Sequence, residues 1–179
     1  MSGPIADISA AGLVSAGLVY QNTSTSVDGT FGGFTGSLNF TALDSIPDNF
    51  GAYAGDGLGD DWQVQYFGQN NLLAAPELDP DGDGQTNQFE FTAGLAPNDP
   101  ASTFHLQIAP VAGQPSRKKV IFSPRLDGRT YFVEAMPALG GSWQPLTTSS
   151  QSDNGAERTV TDLNATGAKK FYRVEITRP

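Results

Sequence analysis

The chain has 179 residues, enough for one medium-sized domain or two small ones. It contains no cysteine, which excludes disulfide bonds, thiolate metal sites and cysteine nucleophiles. With 21 glycines, 12 prolines and only 16% charged residues, the composition indicates turn-rich β structure rather than a helical bundle or a disordered chain.

Charge is distributed unevenly along the chain. Residues 1–116 contain thirteen acidic residues and no lysine or arginine, whereas residues 117–179 contain ten basic and six acidic residues, a net charge of +4. One interpretation is that the acidic excess keeps an exported protein soluble; the other is that an acidic front half attracts cations and complements the basic rear half of a neighbouring copy. Nucleic-acid binding is not expected, because it needs a dense basic patch. No run of about 18 apolar residues occurs, so no membrane span is expected.

The first predicted segment, residues 1–47, is rich in glycine, serine and threonine. Residues 37–41 alternate polar and apolar side chains, as a half-buried strand does. We expect two or three strands joined by glycine turns. Because this segment can bury little surface alone, its strands are expected to add to a sheet elsewhere, in this chain or in another copy.

The second predicted segment, residues 48–103, contains two short amphipathic stretches. Residues 60–67 are predicted to form a helix with acids at its N-terminus, where the helix dipole favours them, and with Gly68 at its end. Residues 86–93 are predicted to form a second helix, which Gly94 would stop.

The third predicted segment, residues 104–179, contains short apolar and β-branched stretches separated by turn signals. The predicted strands are 104–111, 118–123, 129–136, 143–148, 157–163 and 169–177. Several short strands at such spacing predict a β-sandwich.

One loop carries the strongest functional signal. Residues 79–90 read DPDGDGQTNQFE, with acids at positions 1, 3 and 5, glycine at position 6, asparagine at position 9 and glutamate at position 12. This is the spacing of an EF-hand-like calcium loop. The predicted ligands are Asp79, Asp81, Asp83, Gln85, Asn87 and Glu90.

The chemistry of Ca²⁺ explains this spacing. The ion takes about six to eight oxygen ligands, and alternate residues of a tight loop point inward. The aspartates offer carboxylates, Gly84 permits the sharp turn, and the main-chain carbonyl of Gln85 faces the ion. Asn87 ligates directly or through water, and Glu90 reaches back with both oxygens. Mg²⁺ fits such a large ligand set less well. The alternative is an acidic surface turn that holds no ion.

This region resembles thrombospondin type-3-like and dockerin-like calcium-binding repeats, and in particular a module found near the C-termini of secreted bacterial surface proteins. The matching residues are Asp61-Trp62, Tyr66-Phe67-Gly68, Asp79 to Gly84, Thr86-Asn87, Glu90-Phe91, Ala93-Gly94, Pro97 and Asp99-Pro100. The strands that follow look, more weakly, like the β-rich domain that often accompanies this module. The resemblance implies Ca²⁺ binding and an extracellular location at a bacterial cell surface.

Such modules often carry a first half-loop ahead of the first helix. With Gly57 at position 6, positions 1, 3, 5, 9 and 12 fall on Ala52, Ala54, Asp56, Asp60 and Gln63. Most ligands are thereby lost, so a second ion at Asp56, Asp60 and Asp61 is the weaker prediction. The alternative is that these acids cap the following helix.

Catalysis is not expected. His105 is the only histidine, with no cysteine or second histidine as a partner, and we expect it at a strand edge. A carboxylate pair could hydrolyse glycosides, but ion coordination already accounts for the acids. Trp62 and Trp143 could stack on sugars, although anchoring a core is the commoner role of tryptophan.

The predicted fold class is therefore mainly β: a C-terminal β-sandwich with an inserted EF-hand-like calcium helix–loop–helix and an N-terminal β segment. The predicted function is that of a calcium-stabilised extracellular structural protein, whose copies polymerise head to tail into a surface filament. The alternative is a module of a larger exported protein that binds surface glycans or another surface.

Overall fold

The computed structural model describes residues 3–166 and 169–179. Within these ranges eleven strands and two α-helices make the fold mainly β, as predicted. The strands are β1 Ile5–Ile8, β2 Val14–Ala16, β3 Thr23–Phe31, β4 Phe34–Ala42, β5 His105–Val111, β6 Gln114–Ser123, β7 Thr130–Met136, β8 Gln144–Pro145, β9 Ser149–Asn154, β10 Glu157–Asp162 and β11 Phe171–Thr177. The α-helices are α1 Asp60–Phe67 and α2 Asn87–Ala93, and short 3-10 helices cover Gly51–Tyr53 and Leu72–Ala74. No helix in the described ranges has the length and apolar character to cross a lipid bilayer.

The chain divides into two compact units. The first unit comprises residues 1–80 and 86–88, and the second comprises residues 81–85 and 89–179. The division of the sequence into segments 1–47, 48–103 and 104–179 stays a prediction.

The first unit contains two separate antiparallel pairs of strands. Strand β1 pairs with β2, and β3 pairs with β4 over their full lengths. Gly32 and Gly33 join β3 to β4, and both have a positive φ, which the tightest hairpin turns require. The expected addition of these strands to a sheet elsewhere in the chain is not found among the described residues. Local pairing prevails because closing a two-residue turn costs far less chain entropy than closing a long loop.

Helix α1 lies where the sequence predicts it. Asp60 and Asp61 occupy its first turn, and Gly68 ends it with a φ of 75° while its N–H bonds the carbonyl of Val64. The buried side chains of α1 are Asp60 and Gln63, and the buried apolar side chains of this unit come from other segments. They are Val19, Ala42, Phe50, Tyr53, Leu58 and Ala74.

The second unit is built on two antiparallel sheets, with strand orders β5-β6-β10-β9 and β11-β7-β8. The two sheets face each other through Phe122 of β6 and Tyr131 of β7, whose ring centroids lie 5.4 Å apart. Strand β9 was not predicted, because its sequence SSQSDN has no apolar side chain to mark it. The predicted strand 143–148 is reduced to the two residues of β8.

One buried carboxylate links the two sheets of the second unit. Asp162, at the end of β10, has no exposed surface and accepts hydrogen bonds from Asn164 N (2.8 Å), Lys170 Nζ (2.5 Å) and the hydroxyl of Tyr172 on β11 (2.8 Å). Burial alone would raise the pKa of Asp162, but these hydrogen bonds and the charge of Lys170 outweigh burial and hold that pKa below its usual value.

Candidate metal centre

Three aspartates of the predicted calcium loop lie together. Asp79, Asp81 and Asp83 each present a carboxylate oxygen, and these oxygens all lie within 4.8 Å of one another. Among the described residues this is the one such group of three or more acidic or histidine side chains. Two like charges at this separation repel by about 3–4 kcal/mol at an effective dielectric constant of about 20, so a cation among them is electrostatically favoured.

The loop's own hydrogen bonds hold these carboxylates in place. Asp81 Oδ1 accepts from Asp83 N at 3.2 Å, and Asp83 Oδ1 accepts from Gln85 N at 2.7 Å, two successive Asx turns. Gly82 and Gly84 lie between them with φ values of 78° and 92°, which a residue with a side chain adopts only at a cost.

The second oxygen of Asp83 is the most informative atom of the loop. Asp83 Oδ2 is buried and receives no hydrogen bond from any residue in the described ranges. A buried carboxylate oxygen without a hydrogen-bond donor is costly unless a cation compensates it. The loop therefore offers the oxygen ligands that a hard cation prefers, and a bound cation would offset the repulsion among its carboxylates.

Phe104 fixes the loop within the second unit. Both polar side-chain atoms of Gln85 bond the main chain of Phe104: Oε1 accepts from its N–H at 3.0 Å, and Nε2 donates to its carbonyl at 3.4 Å. The Phe104 ring also lies 6.0 Å from the ring of Phe89 and 5.8 Å from the ring of Phe122 in the core. Because the side chain of Gln85 is engaged in this way, only its main-chain carbonyl is left for an ion.

Asn87 is anchored within the first unit. Its Nδ2 donates to the carbonyls of Leu73 and Ala75, each at 2.8 Å, and its main-chain N–H donates to Leu78 O at 2.8 Å. Asn87 has no exposed surface, and its Oδ1 receives no hydrogen bond from the described residues. The amide is thus oriented by its nitrogen, which leaves the oxygen as the atom that could serve a cation.

Glu90 is fully buried in α2. Its main-chain carbonyl accepts from Gly94 N (2.6 Å) and Leu95 N (2.8 Å), which closes the helix where the sequence predicts its end. The cluster of three carboxylates does not include Glu90. Ligation by Gln85, Asn87 and Glu90 stays a prediction.

Arg129, the residue before β7, donates hydrogen bonds to the C-terminal end of α2. Its Nε donates to Thr92 O at 2.5 Å and its Nη2 to Phe91 O at 3.3 Å. Burial, and then the charge of Arg178, lower the pKa of the Arg129 guanidinium. No local pattern predicts this contact, because Arg129 follows Thr92 by 37 positions in the chain.

The half-loop ahead of α1 is closed by hydrogen bonds. Asp56 Oδ1 accepts from Leu58 N at 2.9 Å, and Asp56 Oδ2 accepts from the buried Nε2 of Gln63 at 2.7 Å. The neutral amide of Gln63 thus supplies the Asp56 carboxylate with a hydrogen-bond donor. Asp60 is fully buried and Asp61 is exposed, and the described residues show no metal-sized group containing them. A second ion at Asp56, Asp60 and Asp61 stays the weaker prediction.

The alternative role of these acids at the start of the helix is met in part: Asp60 and Asp61 lie in the first turn of α1, where the helix dipole favours them, and Asp61 Oδ1 accepts from Trp62 N at 2.7 Å, but neither acid is the N-cap residue. Gly59 occupies the N-cap position of α1, with no side-chain cap bond. Asp60 Oδ2 instead accepts from Asn49 N (2.7 Å) and Phe50 N (2.8 Å), earlier in the chain. Burial raises the pKa of Asp60; these two hydrogen bonds oppose the rise, and the charges of neighbouring Asp48 and Asp44 add to it.

Sequence reasoning missed Asp48. Its carboxylate accepts from Gly55 N (2.6 Å), Asp56 N (3.3 Å) and Gly57 N (2.9 Å), so it gathers the main chain of the half-loop. Nothing in its spacing marks it, because it precedes the twelve positions that the calcium pattern covers.

His105 and Trp143 each contact a polar or charged neighbour. His105 opens β5 as expected, is exposed, and its Nε2 lies 2.6 Å from Thr103 Oγ1. One face of the Trp143 ring is covered by the guanidinium of Arg173, 4.8 Å from the ring centroid.

Comparison with protein-family models, curated proteins and solved structures finds no match to this chain. The resemblance to thrombospondin type-3-like and dockerin-like repeats therefore stays an expectation from the loop's residues. The function has to be argued from the site itself.

Proposed function

We propose that this chain is a calcium-stabilised structural protein that works outside the cell and has no catalytic role. The observation that carries the proposal is the convergence of Asp79, Asp81 and Asp83, with the second oxygen of Asp83 buried and lacking a hydrogen bond from the described residues. Ca²⁺ is the ion of choice because carboxylate and carbonyl oxygens in a flexible loop suit its large, adaptable coordination shell, whereas Mg²⁺ demands a near-ideal octahedron.

The absence of cysteine supports a structural role for the ion. A chain without disulfides needs another constraint on its loops, and a bound cation supplies one. Millimolar Ca²⁺ outside the cell suffices even for extracellular modules that bind at about 10⁻⁴ to 10⁻³ M. Because Gln85 bonds Phe104 directly, ordering of this loop by an ion also orders packing in the second unit.

We further propose that copies of the chain associate head to tail. The support is the charge polarity: thirteen acids and no base in residues 1–116, against a net +4 in residues 117–179. Unlike surfaces of opposite charge favour a heterologous contact, which builds an open chain of subunits when the contact does not close a ring.

Calorimetry tests the ion. Protein freed of metal by chelation is titrated with Ca²⁺, and we expect about one equivalent to bind, with Mg²⁺ competing poorly. Asp83→Asn should weaken binding at least tenfold, because it removes one of three clustered charges. Asp127→Asn is the matched control: it removes the same charge from an exposed turn of the second unit and should bind as the wild type does.

Thermal melting tests the structural role. An ion that binds only the folded state stabilises it by about 2.7 kcal/mol at a hundred times its Kd. The wild type and Asp127→Asn should therefore melt at a higher temperature with Ca²⁺ than with chelator, and Asp83→Asn should respond less. Identical melting of the wild type in both buffers, together with no binding heat, would remove the basis of the calcium proposal.

Association is tested separately. Sedimentation velocity and negative-stain electron microscopy of the wild type should show species larger than the monomer that grow with protein concentration. A strictly monomeric wild type at every concentration and in both buffers would refute association and leave the calcium proposal standing.

A further inference from the structure

The hairpin formed by β3 and β4 has one apolar face. In an antiparallel pair, directly opposed residues share a face, and the opposed pairs Phe31–Phe34 and Val27–Leu38 both fall on the same side. The other side is polar: Ser37 Oγ bonds Asp28, and the hydroxyls of Ser24 and Thr41 lie 2.9 Å apart. The hairpin is therefore amphipathic, which is the pattern of a strand pair whose apolar face packs against another surface.

The outer half of this apolar face is open to solvent. Phe31 is 91% exposed, Phe34 83% and Leu38 63%. The hairpin forms a sheet of two strands only, and a two-stranded sheet is marginally stable without further packing. Two exposed phenylalanines at opposed positions on either side of a Gly-Gly turn form an apolar patch of the kind that marks an interaction site.

A cavity of about 470 Å³ opens in the second unit between the end strands of its two sheets. Its apolar lining comes from Ile108 on β5, from Ala165 and from Phe171 on β11. The lysines that line it are Lys118, Lys169 and Lys170. A cavity of about 150 Å³ holds one benzene, so this one has room for two phenyl rings.

The geometry points to a docking contact between copies: we propose that the Phe31–Phe34 tip of one molecule inserts into the lysine-lined cavity of the next. This rests on the head-to-tail association proposed above and identifies the surfaces that make it. The contact is heterologous, because two different surfaces meet. An assembled row of molecules therefore ends in a free tip on one side and a free cavity on the other.

Charge selects this occupant. The only charged residue of the hairpin is Asp28, so the tip brings no positive charge to a cavity lined by three lysines, of which Lys170 is paired with Asp162 and the other two, Lys118 and Lys169, complement a partner without basic residues. Pairing of two hairpins face to face would offer neither tip an opposite charge, because the hairpin contains no lysine or arginine. An anionic lipid surface is a poorer partner, since membrane docking normally relies on basic residues beside the apolar anchor and the hairpin has none.

The test uses sedimentation velocity on full-length variants. The tip variant, Phe31→Ser with Phe34→Ser, changes two highly exposed side chains and should fold normally. The cavity variant is Ile108→Glu, at a residue 44% exposed, and Lys169→Glu is a second cavity variant at an exposed position. Leu72→Ser, at an apolar residue 86% exposed, is the matched control for lost surface hydrophobicity. Circular dichroism melts establish that each variant is folded.

We expect the wild type and Leu72→Ser to assemble, and the tip and Ile108→Glu variants each to associate at least tenfold more weakly. Mixed in equal amounts, these two variants should form a one-to-one dimer and nothing longer, because only the intact tip of one and the intact cavity of the other can meet. Lys169→Glu should weaken assembly in the same direction.

Two results would overturn the docking contact. Assembly of the wild type that persists unchanged in the folded tip and cavity variants would reject these surfaces while leaving head-to-tail association in place. Monomeric variants that fail to form the mixed dimer would show that the tip and the cavity are not each other's partners. A wild type that never assembles rejects both proposals.

Discussion

Replacing Asp162 by asparagine should destabilise the second unit strongly, although it changes a single atom. Asp162 is fully buried, and its carboxylate holds Lys170, Tyr172 and the N–H of Asn164. A hydrogen bond to a charged group contributes about 1.5–3 kcal/mol. Asparagine keeps a neutral acceptor for one donor, and Lys170, whose side chain is 24% exposed, recovers part of its hydration. We therefore expect a loss of about 2–3 kcal/mol in the free energy of unfolding.

Urea denaturation followed by tryptophan fluorescence measures this loss. A Trp62→Phe background confines the signal to Trp143, which belongs to the second unit. Asp153→Asn is the matched control, because Asp153 is also a carboxylate paired with a base, Arg158, but is exposed. Solvent screens such a pair, so this change should have much the smaller effect.

The same difference should depend on pH. The hydrogen bonds lower the pKa of Asp162 in the folded state, so its charge stabilises the fold fully above the unfolded value of about 3.9 and progressively less as the pH falls through the folded pKa. The gap between wild type and Asp162→Asn should therefore shrink in acid. A gap below about 0.5 kcal/mol at pH 7 would refute the reasoning, because it would mean that water replaces the carboxylate at little cost.

Three further outcomes follow from contacts described above. Gln63→Glu should destabilise the first unit by about 1–3 kcal/mol in chelator, because a carboxylate replaces the amide that bonds Asp56. Ca²⁺ should restore part of this loss, and a variant as stable as the wild type in chelator would contradict the prediction. Arg129→Met should lower the free energy of unfolding in urea by about 1–3 kcal/mol, because the end of α2 loses two hydrogen bonds. The control Lys119→Met removes the same charge from an exposed strand position and should change that free energy little. Burial raises the pKa of Asp60, so the contribution of Asp60 to stability is greatest below about pH 3.9 and declines as the pH rises through the folded pKa. Asp60→Asn should flatten that decline in melts followed by Trp62 fluorescence. Parallel pH profiles of the wild type and the variant would contradict this prediction.

Local patterns in the sequence predicted the local structure well. Helix α1 has its predicted bounds, α2 begins one residue later than predicted, and the alternating aspartates of residues 79–83 form a cluster. Each of these features is set within one or two turns of chain, by helix-terminal acids, by a glycine stop, or by inward-pointing alternate residues. The mainly-β class also followed from short strands between turn residues.

Contacts between distant residues could not be predicted in the same way. Gln85 bonds Phe104 and Arg129 bonds Thr92, and no periodicity of the sequence relates the partners. Asp162 reads as an ordinary polar residue at a strand end, yet folding buries it completely. The buried position of a polar side chain is decided by which elements meet around it, and a single sequence does not contain that information in local form.

The two loops ahead of the helices show how one pattern can be closed by two kinds of chemistry. Positions 9 and 12 are fully buried in both loops, as Asp60 and Gln63 in the first and as Asn87 and Glu90 in the second. In the first loop an amide at position 12 bonds the carboxylate at position 5, so a hydrogen bond between side chains closes it. In the second loop position 12 is an acid, and three further carboxylates converge nearer its start, so closure without a cation would set like charges against one another. Dependence on Ca²⁺ should therefore be strongest in residues 79–90, and the fold around α1 should persist when the ion is removed.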